Sequence, residues 1–166
     1  MSTQITHDSV AAKDKDHTDQ LQLVTFEVGD EEYAIDILAV QEINRMMPIT
    51  RVPQSPPSVE GVINLRGRII PVVDLRHRFG LATGQRDSDA RIIVVDVASR
   101  VLGFIVDKVN EVLRVDGSIV EPAPSLAAGA QADYVRGVGK LDDRLLILLD
   151  LERLFVAQAV QLKQAA

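Results

Sequence analysis

The chain has no cysteine and no tryptophan, and its aromatic residues are four phenylalanines and two tyrosines among 166 residues. The lack of cysteine excludes a disulfide framework, a thiol nucleophile and a thiolate zinc site together. With aromatics at 4%, the core must be aliphatic, and Val and Ile favour strands. Long apolar runs are missing as well. The longest, Ile69–Val73 and Leu145–Leu149, hold five residues each, against the roughly 18 that a membrane helix needs. Met1 to Gln20 has no basic segment followed by an apolar one, the pattern of a signal peptide. A cytoplasmic protein without membrane insertion is expected. Positive charge is in deficit too, with 18 Lys and Arg against 24 Asp and Glu and a net charge of −6. Nucleic-acid surfaces need clustered cations and exposed aromatics, so no nucleic-acid partner is expected.

Catalytic signatures are equally scarce. Gly139-Lys140 ends like a phosphate-binding loop, but Tyr134 stands where the first glycine belongs and Leu141 replaces Ser or Thr. His7 and His17 lie in a polar tail, and His77 sits between Arg76 and Arg78 with no orienting partner in the sequence. Asp14, Asp16 and Asp19 around His17 lack calcium-loop spacing. Asp74 and Asp150 each precede a Leu-rich turn and read as helix caps, not as a catalytic carboxylate pair. No catalytic, cofactor-binding or metal-binding residue is expected, and the chain is not read as an enzyme.

Organisation is what the sequence does contain. From Leu21 onward, short apolar stretches alternate with turn residues, the all-β pattern. Strands are expected over Leu21–Val28, Tyr33–Ile37, Gly61–Leu65, Arg68–Asp74, Arg91–Val97, Val101–Asp107, Val109–Val115, Tyr134–Lys140 and Arg144–Leu149. Pro48, Pro53, Pro56 and Pro57 mark a loop, and Pro122–Asp133 marks a second. Leu75–Gly80 reads as a helical turn closed by its glycine, and Leu151–Lys163 as a C-terminal helix.

The chain also repeats itself. Gly61 to Phe79 aligns with Gly137 to Phe155 at an offset of 76, keeping Gly, Val, Leu, Arg, Asp, Leu and Phe at matched positions. Upstream, Val40-Gln-Glu-Ile43 mirrors Val109-Asn-Glu-Val112 at an offset of 69. Two segments in one order imply one β unit written twice, and two small pseudo-symmetric barrels are the expected architecture. Positions kept in both copies, such as Gly61/Gly137, Leu65/Leu141 and Phe79/Phe155, read as scaffold. The sharpest divergence is Arg66-Gly67 against Asp142-Asp143, a charge inversion at a hairpin tip, where an arginine fork is a strong interface anchor.

Phe26-Glu-Val-Gly-Asp-Glu-Glu-Tyr-Ala-Ile-Asp-Ile-Leu-Ala-Val-Gln-Glu-Ile43, Gly61-Val-Ile-Asn-Leu-Arg-Gly67, Pro71-Val-Val-Asp-Leu-Arg76 and the segment from Asp107 onward resemble the CheW family of chemotaxis coupling proteins. The resemblance runs from about Leu21 to Phe155. It implies two SH3-like five-stranded barrels around a shared core, with a domain over 20–160, a polar flexible tail at 1–19 and a short tail at 161–166. It further implies an adaptor, without cofactor, joining the cytoplasmic tips of chemoreceptors (methyl-accepting chemotaxis proteins) to the regulatory domain of the histidine kinase CheA. The receptor-binding residues it implies are Val40, Glu42, Gly61 and Arg66, with Val109 on the opposing wall of a groove between the barrels. The competing expectation is a sensor module that holds a small ligand in that groove.

Overall fold

The computed structural model describes residues 20–122 and 134–155. The tails expected at 1–19 and 161–166, nearly all of the Pro122–Asp133 loop, and the helix and domain boundary beyond residue 155 lie outside the described residues.

Eleven strands are described, and they form two antiparallel-rich sheets. In chain order they are β1 (Gln20–Val28), β2 (Glu31–Asp36), β3 (Val40–Arg45), β4 (Val59–Leu65), β5 (Arg68–Asp74), β6 (Arg91–Val97), β7 (Arg100–Val106), β8 (Lys108–Asp116), β9 (Val120–Glu121), β10 (Val135–Lys140) and β11 (Leu145–Leu149). One sheet runs β8-β1-β2-β11-β10-β9 and the other β3-β6-β7-β5-β4. The nine expected strands are therefore present, with β3 and the short β9 added. The five-strand count holds for one sheet only. The sixth strand of the other, β9, is two residues long, and its counterpart shrinks to a single bridge between Thr50 and Val62.

The repeat explains this order. β1 to β5 form one copy and β6 to β11 the second, yet neither sheet belongs to one copy. β1 and β2 are flanked by β8 and β11, whereas β6 and β7 are flanked by β3 and β5. The registers match across the exchange. Leu23 pairs with Asp36 as Ile92 pairs with Ile105, and the parallel contacts Leu148–Ala34 and Val72–Gly103 are likewise equivalent. Each copy lends its outer strands to the other, so the two barrels interlock.

β1 and β6 each lie between a barrel interior and a core shared by the two sheets, so both faces of each strand are buried. Leu23 joins Ala34, Leu146 and Leu148 inside one barrel, and Ile92 and Val94 join Ile63, Ile70 and Val72 inside the other. The alternate residues, Val24, Phe26 and Val28 on β1 and Ile93, Val95 and Val97 on β6, meet in the large core shared by both sheets. All six aromatic rings of the chain lie there in one connected row: Tyr134, Phe79, Tyr33, Phe26, Phe104 and Phe155, with successive centroids 4.9–6.1 Å apart. Burial, aided by Glu31 and Tyr134, pushes the Tyr33 hydroxyl up to about 12, so this residue stays neutral. Few aromatics suffice because all are spent at one interface.

Polar contacts fix the chain where it leaves the sheets. The Asp74 carboxylate accepts the Arg76 N–H at 3.0 Å and caps the helical turn α1 (Leu75–Arg78). Gly80, at φ 75°, lets Leu81 N–H return to Arg76 O at 2.8 Å. Asp150 accepts the Arg153 N–H in the helical segment at 151–155, so both aspartates cap, as expected. Asp107, in the link from β7 to β8, receives both arms of Arg76 at 2.7 Å and the Gly29 N–H at 2.8 Å, tying α1 to the β1–β2 turn.

Phe79 and Phe155 are equivalent positions of the repeat, both in this row, and are 6% and 2% exposed. Truncating either to Ala is expected to cost about 3–5 kcal/mol, read by denaturant unfolding. Wild-type stability in both variants would show that the shared core does not hold the barrels together.

Candidate functional site

β3 and β8 are the exposed edge strands beside β6 and β1, and they are equivalent in the repeat. Each carries a bulge at the same point. Val40 and Glu42 face the adjacent residues Val95 and Val94, and Val109 and Glu111 face Phe26 and Thr25. The bulged residues, Gln41 and Asn110, reverse the alternation that follows. Val40 and Ile43 therefore both share a face with shared-core residues, through Val95 and Ile93. Val109 and Val112 do so through Phe26 and Val24. Val40 and Val109 are half-buried against that core, whereas Ile43 and Val112 remain 40% and 55% exposed. Two edge strands thus leave aliphatic side chains along the margin of the shared core.

Glu42 and Arg66, named separately from the sequence, are in direct contact. Arg66 donates to one oxygen of the Glu42 carboxylate, and Asn44 Nδ2 donates to the other at 2.7 Å. The Arg66 bond, then the Asn44 bond, hold this carboxyl below its ordinary 4.5. The pair forms while Glu42 is ionised and is lost as pH falls through that lowered value. β3 and β4 are the two outer strands of one sheet, so the ion pair also spans its two edges. Arg66 reaches Glu42 from a two-residue hairpin loop, Leu65 being paired with Arg68. Arg66 and Gly67 both have positive φ, 52° and 85°, the pattern of a type I′ turn. For an arginine this conformation costs about 1–2 kcal/mol. The Arg66 side chain is 72% exposed, so the pair itself contributes little to stability.

The other barrel has an equivalent built differently. Glu111, matched to Glu42, is met at 3.1 Å by Arg144, which also contacts Glu32 at 3.1 Å. Arg144 follows the tip Asp142-Asp143 instead of lying on it, and that tip keeps negative φ.

Gly61 belongs to the architecture. It follows the bulge in β4, and a Cβ there would lie 2.3 Å from Thr50 O. Gly137 follows the matching bulge in β10, where a Cβ would lie 2.6 Å from Glu121 O. Of the five expected site residues, the structure brings Glu42 and Arg66 together and sets Val40 beside them in β3. Val109 lies in the equivalent strand of the other sheet, and Gly61 shapes the backbone. Ile43 and Val112 escaped the sequence reading of the site. Their signal was the aliphatic residue closing both Val-x-Glu-x segments. A pocket of about 330 Å³, lined among others by Ala34, Ile35, Val97, Asp36, Asp96 and Arg136, includes none of the five.

The CheW-like domain family matches residues 22–159. The chain belongs to the CheW-like family. Chemotaxis protein CheW of Klebsiella aerogenes is 39% identical over 141 residues, 85% of either chain, and that of Helicobacter pylori is 38% identical over 88% of either chain. The crystal structure of the scaffolding protein TtCheW from Thermoanaerobacter tengcongensis superposes with a TM-score of 0.76 at 39% identity, over 81% of this chain and 92% of that one. CheW-family membership makes the chain a non-catalytic adaptor of chemotaxis. Its two interlocked β units are the CheW fold.

Because the atom nearest an added methyl is a backbone carbonyl oxygen at both sites, Gly61→Ala is expected to lower stability by about 1–3 kcal/mol, read by thermal unfolding, and Gly137→Ala to do the same. An unchanged melting temperature with lost partner binding would make Gly61 a contact residue instead.

Proposed function

We propose that this chain couples chemoreceptors to the histidine kinase CheA in the cytoplasm, holding both in one geometry without making or breaking a bond. The observation that carries this reading is the pair of equivalent edge strands whose aliphatic residues line the margin of the shared core next to a charged pair. A chemoreceptor tip is a helical hairpin, and a helix docks by laying apolar residues into a groove with a polar rim. Val40, Ile43, Val109 and Val112 supply the apolar contacts, and Glu42 and Arg66 supply the rim and register. Gly61 serves by holding β4 in place. Family membership supports chemotaxis as the setting, and the described residues contain no helix long and apolar enough to cross a membrane. The regulatory domain of CheA is the second partner, so that receptor-induced changes bias the kinase between states.

Arg66→Ala should weaken binding of a receptor-tip fragment by about tenfold or more, equivalent to at least ~1.4 kcal/mol, with kinase binding and melting temperature retained. Asp142→Ala, at the matched tip, is the control and should change receptor binding little. Calorimetric titration of both variants against receptor fragment and kinase regulatory domain decides it. Equal losses in the two variants, or normal receptor binding by Arg66→Ala, would remove this residue from the site. A small-ligand sensor using the pocket beside Asp36 and Asp96 would leave receptor affinity unmoved by either change.

A further inference from the structure

The two copies of the repeat fold alike, so a polar side chain that the fold alone required would recur in both. Two asparagines do not recur. Asn64 in β4 is matched by Lys140, and Asn44 in β3 is matched by Leu113. Both bond to the Glu42–Arg66 pair or to the turn that carries it. Asn64 Oδ1 accepts the Gly67 N–H at 2.9 Å across the hairpin tip, and Asn44 Nδ2 holds the Glu42 oxygen that Arg66 does not use.

The second hairpin shows what happens without them. Its loop is the same length, since Leu141 N–H donates to Arg144 O at 2.9 Å and leaves Asp142-Asp143 between them. Lys140, in the place of Asn64, has no acceptor to offer the tip, and neither tip residue enters the left-handed region. There Glu111 takes its arginine from Arg144, one place beyond the tip. The first copy also has an arginine at that place, Arg68, yet Glu42 is met by Arg66. What distinguishes the first hairpin is Gly67, which tolerates positive φ, and Asn64, which bonds its N–H.

We propose that Asn64 and Asn44 are positioning residues for partner binding: Asn64 holds the tip in the turn that delivers Arg66 to Glu42, and Asn44 orients the Glu42 carboxylate to receive it. Neither needs to touch the partner. The partner-binding half of this proposal rests on the function proposed above, whereas its geometric half can be read in the protein alone.

The test uses the full chain with Asn64→Ala, Asn64→Asp, which keeps the acceptor oxygen, and Asn44→Leu, which copies the residue the other repeat already tolerates. In the free protein, an NMR titration of the Glu42 carboxyl should move up toward the ordinary 4.5 in Asn64→Ala and Asn44→Leu, and stay near wild type in Asn64→Asp. Against a receptor-tip helical-hairpin fragment, Asn64→Ala should weaken binding about three- to tenfold, the size expected for one lost hydrogen bond, and Asn64→Asp should restore it. In an Arg66→Ala background, Asn64→Ala should cost nothing more, because its effect passes through Arg66. An unmoved Glu42 titration, an Asp variant as weak as the Ala variant, or fully additive losses would overturn the proposal. If Arg66→Ala weakens binding and Asn64→Ala does not, the positioning role fails while the receptor site stands. Normal binding by Arg66→Ala removes the receptor site itself, and the proposal with it.

Discussion

Everything in this molecule depends on the shared apolar core between the two sheets. Neither barrel has enough interior of its own: Leu23, Ala34, Leu146 and Leu148 fill one, and a similar aliphatic handful fills the other. The larger cluster, with every aromatic ring in the chain, lies between them. Exchange of strands makes that interface obligatory, because each copy completes its sheet with strands of the other. Burial of apolar area therefore couples the halves, at about 25 cal/mol per Å², and hydrogen-bonded ladders then hold their orientation.

Pseudo-symmetry supplies the frame, and departures from it supply function. Both edge strands keep a bulge, a half-buried valine, a glutamate and an exposed aliphatic residue in the same order. What differs is how each glutamate is met. Arg144 is flanked by acidic neighbours, and its hydrogen bond to Glu111, then the charges of Glu32 and Asp143, raise its affinity for its proton. Arg66 stands on an exposed tip with a single carboxylate. Duplication thus gives two equivalent places on one rigid body, and a few tip residues assign them different chemistry.

Much of this was legible in the sequence, for local reasons. Hairpins announce themselves through turn residues, and the offsets of 76 and 69 reveal the repeat in the sequence itself. Asp74 and Asp150 were readable as caps because the turns they begin follow immediately. β3 was not readable as a strand because the bulge at Gln41 leaves only Glu42 to Arg45 beyond it, whereas β8, with the same bulge, runs on to Asp116. Strand exchange was hidden as well, since which copy's strand a sheet accepts is settled by packing between residues far apart in the chain. Glu42 and Arg66 were each named, but a contact across 24 residues depends on a turn whose handedness is set by Asn64 and Gly67. Val112 looked like an ordinary strand residue and Ile43 lay in no expected strand, and only the edge position of β3 and β8 exposes them.

If the interlocked sheets form one cooperative unit, no half can open alone. Native-state amide hydrogen exchange measures this directly. Val24 in β1 and Ile93 in β6 are equivalent positions of the two copies, both buried in the shared core. Their amides are expected to exchange only through global unfolding, with the same free energy and the same denaturant dependence. Two distinct free energies, with one sheet's amides exchanging while the other's stay protected, would contradict the shared core as the element that makes two barrels into one adaptor.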